Sequence, residues 1–558
     1  MRARDVGVKG CEIFVRQASA RPAACRSLAT CHDLRAVEGP RLPLISLPFL
    51  FLFLPASLVF HFFAARLGER LRLCALIAIS FSFCALWDIR AAAVLAGSVA
   101  VNYGIGRLLE QAREDRRKVL SNSFLATGVI FNLGVLAMFR YGDLIATAVD
   151  SLADTGFDAG KILMPLGVLV FSCDQIAYLV DLHRGKNGRP DILRYAAFVT
   201  FFPRLIAGPL LRYGQIKDQW TSRAPDAEDF AAGLTTFAIG LAKVILLADL
   251  VAPIAATVFS AAGSAERIEF FAGWTGLLAF ACQIYFDLSG YADMAIGLGR
   301  CFGLKLPTNF RSPYRTTNIA DFWLTWNITL SDFLRDYVYR PLGKSPHSLP
   351  RGLSFIAAMV LGGLWYGTSP MLVAWALLHA GFILFYRLWR GARRRFDGLS
   401  SFADLRFVRP LSIALTFTVV TLSWVLFRSH DAEAAINMFA ALSGRNGAFL
   451  PFDYAVFMGP FAEFLQAAGI DFVPADGGLL LRAWASILLC LVVIFALPNT
   501  ESLLSSYRPL LVDNRPAIRK IFALRWSLSP FWSVAIGVLA FVCLVCLNSV
   551  NPLLHWRL

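Results

Sequence analysis

The chain has 558 residues, of which 57% are hydrophobic and only 16% are charged. A soluble protein typically carries about 25% charged residues, so this composition excludes a soluble enzyme. The formal net charge of +15 does not indicate nucleic-acid binding, because Lys and Arg cluster in short connectors between apolar segments. Such connectors mark the cytoplasmic side of a membrane protein and face lipid headgroups. The clearest lie at 113–118, 184–189, 387–395 and 515–520.

Residues 1–42 show no helical apolar periodicity and lack the pattern of a secretory signal. We expect them to be either a disordered N-terminal extension or a segment upstream of the true start. Residues 43–558 are predicted to form a single membrane-embedded domain. Apolar runs long enough to cross a bilayer of about 30 Å recur along it, predicting an all-α polytopic membrane protein with about eleven transmembrane helices and several re-entrant or interfacial helices. The clearest runs are 44–63, 71–87, 119–139, 230–259, 268–285, 355–366, 411–427, 479–497 and 531–547, and weaker ones lie at 91–108, 162–180, 195–211 and 371–388.

The segment Asn318–Leu342 is predicted to be one amphipathic helix at the membrane interface, because its apolar residues recur at helical spacing. Asn318 is expected to cap its N-terminus, with Asp321 three residues on. Asn327 falls on the apolar side, so its amide is expected to form a hydrogen bond inward, either as a functional group or as a packed structural residue.

Other local features are less informative. Residues 429–478 form the longest predicted stretch outside the membrane, with several Gly and Pro residues as breakers. Most of the eleven cysteines lie in apolar segments, and Cys543 and Cys546 are expected to be small core residues rather than a redox pair. No grouping of residues predicts a metal site.

Polar side chains are unusually dense in the apolar segments between Gln283 and His379. They are costly to place in lipid, so they are expected to line a buried site. One group comprises Asp287, Ser289, Tyr291 and Asp293, which would form either a functional lining or a structural polar cluster. Gly290 within it predicts a broken or a tightly packed helix. An ionised Asp287 would need a partner, for which Arg335 is one choice, although Arg335 and Asp336 could instead pair with each other.

Several runs of this chain resemble the membrane-bound O-acyltransferase family, and most closely its alginate O-acetylase-like bacterial branch. The central ones are QIYFDLSGYADMAIGLGRCFGLKLPTNFRSPYR at 283–315 and DFWLTWNITLSDFLRDYVYRPLG at 321–343. Supporting runs are PLGVLVFSCDQIAYLVDLHRG at 165–185, FFPRLIAGPLLRY at 201–213, LGGLWYG at 361–367 and WVLFRSHDAEAAINMF at 424–439. The resemblance extends from about residue 46 to the C-terminus.

The resemblance implies helices around a central funnel and acyl transfer across a bacterial inner membrane. The co-substrate would be a cytoplasmic acyl thioester such as acetyl-CoA, with no bound cofactor, and the product an O-acetylated cell-surface or exported polysaccharide of the alginate type. The implied partners are membrane lipids, a periplasmic acetyltransferase or esterase-like protein and polysaccharide export machinery. No nucleic acid is expected.

The chain departs from the family pattern at two histidines. The motif that usually reads WHxSLS is here WNITLS at 326–331, and the usual LWHG is LWYG at 364–367, while the third histidine is present as His379. The predicted catalytic residues are therefore Asn327, Tyr366 and His379. The predicted substrate-binding residues are Asp287, Ser289, Tyr291, Trp326, Ser331, Arg335, Asp336 and Trp365.

The two replacements differ in how strongly they would change the chemistry of the site. Asn327 resembles the Asn of the Asn–His pair in eukaryotic relatives. Tyr366 is a poor general base, because free tyrosine titrates near about 10 and free histidine near about 6.5, although its hydroxyl could donate a hydrogen bond to a developing oxyanion. His379 lies about nine residues into the next helix, roughly 14 Å along its axis, and would either reach the reaction centre or orient its neighbours.

Three functions remain open at this point. The first is O-acyl transfer to a surface glycan. The second is a catalytically impaired relative that acts as a binding or scaffold protein, and Tyr366 separates it from the first. The third is a transporter of small anions, and the lack of a visible internal repeat counts modestly against it.

Overall fold

The computed structural model describes residues 44–153, 165–220, 225–264, 266–343, 350–393, 395, 408–507 and 524–547. The predicted extension 1–42 and the basic connector 515–520 lie outside these residues. Within the described ranges nearly all regular structure is helical, which confirms the all-α class. The two exceptions are four-residue strands in the predicted extramembrane stretch.

The helices through the first half of the chain are α1 (Leu54–Leu67), α2 (Glu69–Trp87), α3 (Ile89–Glu114), α4 (Lys118–Ala153), α5 (Val168–His183), α6 (Ile192–Thr200), α7 (Phe202–Leu205), α8 (Tyr213–Ile216), α9 (Ala227–Ala242), α10 (Asp249–Gly263) and α11 (Phe270–Cys301). A π-helical turn, Phe49–Phe53, precedes α1, and another, Lys243–Ala248, joins α9 to α10.

The second half continues with α12 (Ile319–Thr325), α13 (Ile328–Phe333), a π-helical turn (Leu334–Tyr339), α14 (Arg340–Leu342), α15 (Arg351–Tyr366), α16 (Pro370–Arg393), α17 (Val408–Arg428), α18 (Ala432–Leu442), β1 (Ala448–Pro451), α19 (Phe452–Met458), α20 (Pro460–Ala467), β2 (Ile470–Val473), α21 (Gly477–Ala496), α22 (Thr500–Leu503) and α23 (Pro530–Leu547).

Nine helical stretches of the described chain are long and apolar enough to cross a membrane. They are Phe49–Leu67, Glu69–Trp87, Ile89–Glu114, Lys118–Arg140, Ala227–Gly263, Pro370–Arg393, Val408–Arg428, Gly477–Ala496 and Pro530–Leu547. Two further predicted spans differ from these, because α11 carries acidic and basic residues and α15 is only 16 residues long. The chain is a multi-pass membrane protein.

Two of the basic connectors, 113–118 and 184–189, meet at one end of the helices. Arg194 on α6 pairs with Glu69 at the start of α2 (2.8 Å), and the Ser121 hydroxyl near the start of α4 contacts the His183 ring nitrogen at the end of α5 (2.9 Å). We call this end the basic side. The C-terminal end of α11 lies there too, since Arg72 on α2 donates to the Trp220 carbonyl and the neighbouring Gln219 exchanges hydrogen bonds with Lys305, which follows α11.

Helix α11 is central to the packing. One apolar cluster is built from α1 to α9 and another from α10 to α21, and α11 contributes to both. At Gly240 on α9, an added Cβ would lie 2.6 Å from the Gly290 carbonyl oxygen, and at Gly290 it would lie 2.8 Å from the Gly240 oxygen. Glycine is therefore required for this close approach. Helix α11 is continuous through Gly290, so of the two predicted alternatives tight packing is confirmed.

The long stretch 429–478 folds against the opposite end of α11. Strands β1 and β2 pair in parallel, with Ala448 opposite Ile470 and Pro451 opposite Val473. Glu269 caps the N-terminus of α11 and also accepts a hydrogen bond from the Phe449 amide at 3.4 Å. The sequence did not predict these strands, because each is only four residues long.

Candidate active site

The segment around Asn327 is not the single helix that its apolar spacing predicted. Helix α12 ends at Thr325 and α13 begins at Ile328, with Asn327 between them in the left-handed conformation (φ 41°, ψ 58°). Asparagine adopts this conformation more readily than most residues, so the chain turns here while both sides keep helical spacing. The prediction that Asn318 caps the N-terminus is confirmed, because its side chain accepts a hydrogen bond from the Asp321 amide at 2.9 Å.

The break brings Asn327 to Tyr366 at the end of α15. The Asn327 Nδ2 donates to the Tyr366 hydroxyl at 2.9 Å, and the Trp326 Nε1 donates to the same oxygen at 3.3 Å. Asn327 is only 8% exposed, so its predicted inward hydrogen bond is confirmed. Both nitrogens act as donors here, so the tyrosine oxygen accepts both bonds and neither contact uses its own O–H. That proton is available to a third group.

Aromatic rings surround this hydroxyl. The fully buried Trp326 lies edge-on to Phe310 and tilted against Trp424, each with ring centroids 5.1 Å apart. Tyr366 meets Phe427 edge-on at 5.2 Å and Trp375 at 6.0 Å. In such an apolar surrounding a single hydrogen bond is electrostatically stronger than in water. Trp365 lies in a separate apolar cluster that includes Leu330 and Tyr366.

A short segment preceding α12 braces the break from both sides. The Asn309 carbonyl accepts from the Ile328 amide at 2.9 Å, and its Oδ1 accepts from the Thr329 amide at 3.1 Å and the Thr329 hydroxyl at 2.9 Å. On the other side, the Arg311 amide donates to the Thr325 carbonyl at 2.9 Å. Asn309 is buried, with 5% of its surface exposed. Its two oxygen atoms accept hydrogen bonds from the Ile328 and Thr329 amides at the start of α13, which the break would otherwise leave without an acceptor.

Replacing Asn309 with alanine is expected to destabilise the protein by about 2 kcal/mol, because the buried Thr329 donors lose their acceptor. The turnover number is expected to fall at least about ten-fold, since a displaced Asn327 also misplaces Tyr366. Thermal unfolding in detergent and an acyl-transfer assay would measure the two effects. Asn309→Asp keeps an oxygen acceptor and serves as the control, and equal losses in both variants would contradict this explanation.

The remaining residue of the predicted motif, Ser331, lies in the first turn of α13. Its amide donates to the Asn327 carbonyl at 3.0 Å, and its hydroxyl contacts the Trp326 carbonyl at 3.5 Å. Ser331 therefore forms hydrogen bonds with the backbone of the turn at Asn327.

His379 lies in the same aromatic layer but makes a different set of contacts. Its Nδ1 accepts from the Trp323 Nε1 at 3.1 Å, and its Nε2 lies 2.8 Å from the Ser423 hydroxyl, which donates to the Val420 carbonyl at 2.6 Å. An indole nitrogen can only donate, so Nδ1 carries no proton and Nε2 carries it. Both ring nitrogens are thus engaged. Trp375 lies between His379 and Tyr366, with ring centroids 4.8 Å and 6.0 Å away.

The four residues of the predicted polar group on α11 do not share one environment. Asp287 and Ser289 are buried, and Tyr291 is half-buried among the side chains packed on the first apolar cluster. Asp293 instead accepts from the Lys243 ammonium at 2.5 Å and from the Thr500 hydroxyl at 2.6 Å.

Lys243 was not singled out from the sequence. It begins the π-helical turn inside the span Ala227–Gly263, and a lone lysine in such a span is a signal that marks a buried polar site. A small cleft that is open to solvent adjoins it. The cleft is lined by Thr236, Lys243, Asp293, Ile296, Thr308, Phe310, Thr500, Glu501 and Leu504. Phe310 lines this cleft, and its ring also contacts the ring of Trp326.

Arg335 and Asp336 belong to an ionic cluster beside α13. Asp336 accepts from Arg335 at 2.9 Å, Arg212 at 2.6 Å and Arg340 at 2.7 Å, which confirms the predicted Arg335–Asp336 pair. Arg335 also pairs with Asp332 at 2.7 Å, and its ion pairs are with these two carboxylates rather than with Asp287. Burial would raise the pKa of Asp336, but hydrogen bonds from Arg335 and Arg212 lower that pKa well below its usual range.

Replacing Asp336 with asparagine is expected to lower stability by about 3 kcal/mol at neutral pH, because the arginines lose their shared counter-charge. A depressed pKa contributes stability above the unfolded-state value of about 3.9, and that stability is lost only as the pH falls through the folded-state value. The difference from wild type should therefore stay constant from about pH 8 to pH 5 and shrink below about pH 4. Thermal unfolding across this range measures it. Asp332→Asn, a more exposed position, is expected to cost less.

The described residues contain no group of three or more His, Cys, Asp or Glu side chains that could hold a metal ion. The polar groups that meet at this site are the Tyr366 hydroxyl, the Asn327 amide and the Trp326 indole N–H.

Comparison with known proteins assigns the chain to a family. The model of the membrane-bound O-acyltransferase family matches residues 110–405. Over 405 residues the chain is 34% identical to the probable alginate O-acetylase of Pseudomonas aeruginosa, covering 71% of this chain and 73% of that protein. It is 32% identical over 435 residues to the peptidoglycan O-acetyltransferase of Helicobacter pylori, covering 72% and 80%.

A more distant likeness, 26% identity over 247 residues, links it to the teichoic acid D-alanyltransferase of Bacillus subtilis, with 42% of this chain and 60% of that protein covered. All three relatives are named for the transfer of an acetyl or D-alanyl group. The match to the family model and the identity to the first two relatives identify this multi-pass protein as a member of the membrane-bound O-acyltransferase family.

Proposed function

We propose that this protein transfers an acetyl group from a cytoplasmic thioester, such as acetyl-CoA, across the bacterial inner membrane for O-acetylation of a cell-surface or exported polysaccharide. The names of two relatives, an alginate O-acetylase and a peptidoglycan O-acetyltransferase, support the reaction class. The observation that carries the proposal is the contact of Trp326 and Asn327 with the Tyr366 hydroxyl. The expected partners are membrane lipids, a periplasmic acetyltransferase or esterase-like protein and polysaccharide export machinery.

The chemical step needs stabilisation of charge on one oxygen. The acceptor hydroxyl oxygen attacks the thioester carbonyl carbon, a C–O bond forms, the C–S bond breaks, and the hydroxyl proton ends on the released thiol. Negative charge develops on the carbonyl oxygen during the attack. The Tyr366 O–H, which neither Asn327 nor Trp326 uses, donates to that oxygen, while these two residues fix the position of the tyrosine.

The donor is expected to approach from the basic side. Beside α13, the cations Arg184, Lys186, Arg212, Arg335 and Arg340 surround the acids Asp181, Asp332 and Asp336. This surplus of positive charge favours an anionic donor such as a coenzyme A thioester.

A second function is favoured by one specific observation. Tyr366 stands where the bacterial branch has a histidine, and its two side-chain hydrogen bonds come from an amide and an indole, neither of which is a base. His379 has both ring nitrogens engaged elsewhere. A protein with this site could bind a thioester or a partner without transferring an acyl group.

One experiment separates the two functions. Labelled acetyl-CoA is supplied to inverted membranes that contain wild type, Tyr366→His or His379→Gln, and transfer of label to the polysaccharide fraction is measured. Substantial transfer by the wild type supports the enzyme. Transfer that is absent in the wild type and appears, about a hundred-fold above background, only in Tyr366→His supports the impaired form.

A further inference from the structure

Two short helices at the end opposite the basic side expose large apolar side chains. Helices α19 and α20 are separated only by Gly459, and we call residues 452–467 the apolar hairpin. Phe457 is 92% exposed, Val456 73% and Phe464 64%. Large exposed apolar patches are rare on protein surfaces that face water.

The apolar residues of α20 share one face. Phe461, Phe464 and Leu465 lie within about 100° of one another around the helix axis, and Glu463 and Gln466 lie on the other face. Phe461 and Phe464 stack with their ring centroids 5.7 Å apart. A short helix with a separated apolar face is typical of an element that lies in the membrane interface.

A hydrogen bond to a membrane span shows the level of the apolar hairpin relative to the membrane. The Tyr454 hydroxyl on α19 donates to the carbonyl of Gly477, the first residue of α21, at 2.7 Å. The lipid-facing surface of α21 begins one turn later at Leu481, which is 63% exposed, and continues at Leu488. The hairpin therefore lies at the level of the first turn of this span.

Charge indicates what kind of surface covers the hairpin. Residues 446–481 contain four acidic and no basic residues. Attraction to anionic headgroups therefore cannot hold this segment at the membrane, and apolar insertion is the force that remains.

We propose that the apolar hairpin lies in the headgroup region of the leaflet opposite the basic side and inserts Phe457, Phe461 and Phe464 among the lipid acyl chains. The inference does not depend on the proposed reaction. The hairpin continues directly from β1, which is joined to the start of α11, because the Phe270 amide donates to the Gly447 carbonyl at 3.0 Å and the Asn446 side chain donates to the Ile268 carbonyl at 2.9 Å. Insertion of the hairpin would thus anchor the extramembrane stretch that covers the end of the central helix.

The test uses the photo-crosslinking residue p-benzoylphenylalanine, placed at Phe457 in the full chain and reconstituted in phosphatidylcholine nanodiscs. Mass spectrometry then measures lipid adducts. The same residue at Leu488, within the span, is the positive control, and at Gln466, on the polar face of α20, the negative control. We expect a yield at 457 within about two-fold of that at 488 and at least about ten-fold above that at 466.

Phe464 provides a second probe position if substitution at 457 disturbs folding. Yields at 457 and 464 no higher than at 466 would overturn the proposal. So would crosslinking at these positions in native membranes to another protein or a second copy instead of lipid. Replacing part of the phosphatidylcholine with anionic phosphatidylglycerol should not raise the yield, and a clear increase would contradict insertion driven by apolar burial.

Discussion

Replacing Tyr366 with phenylalanine is expected to lower the turnover number for acetyl transfer about a hundred-fold, with little change in the Michaelis constant for the donor. The substitution keeps the ring and its contacts with Trp375 and Phe427 but removes the hydroxyl held by Asn327 and Trp326. Loss of one donor to a developing oxyanion typically costs this much, and it acts on the transition state more than on the bound substrate. Steady-state kinetics with purified protein in nanodiscs would measure it.

Tyr386→Phe is a matched control, because Tyr386 lies on the same helix as His379 but is not among the contacts of Tyr366 described above. Wild-type turnover in Tyr366→Phe would remove the tyrosine hydroxyl from the mechanism. A loss of the same size in Tyr386→Phe would show that the assay responds to general damage.

Substitutions at Asn327 are expected to separate backbone conformation from hydrogen bonding. Asn327→Ala loses both the amide donor and the ease of adopting φ 41°, so it should lose about a hundred-fold in turnover and about 1 kcal/mol in stability. Asn327→Gly accommodates the left-handed conformation, so it should lose similar activity while remaining as stable as the wild type. Turnover and thermal unfolding are measured on the same preparations.

Asn327→His provides the third arm, because histidine can also donate a hydrogen bond and is the usual residue of the bacterial branch. It is expected to retain more activity than the alanine or glycine variant. If Asn327→Gly keeps full turnover, the amide contributes only through the shape of the turn.

Part of this arrangement could be predicted from the sequence because it depends on local pattern. The apolar runs predicted a multi-pass helical protein, and Asn318 followed by Asp321 predicted a helix start that the structure contains. The pairing of Arg335 with its neighbour Asp336 was also one of the stated alternatives. Each of these needs only the spacing of residues along the chain.

The rest depends on contacts between distant segments. The break at Asn327 leaves the apolar spacing of α12 and α13 intact, so periodicity predicted one helix where there are two. Asn309 precedes Thr329 by 20 residues, and nothing in its local pattern indicates that it braces the turn. Asn327 and Tyr366 were predicted as site residues from the family resemblance. The 2.9 Å contact between their side chains, however, is made only in the folded chain.

The glycine contact between α9 and α11 has a consequence for which parts of the protein can move. Neither Gly240 nor Gly290 has room for a methyl group, so α9 and α11 should move together as one rigid unit. A looser contact lies where the Leu334 side chain, just after α13, meets Gly362 on α15, because a flexible side chain rather than backbone fills the space there. Antibody fragments or inhibitors that trap a rearranged form should accordingly be sought at this contact.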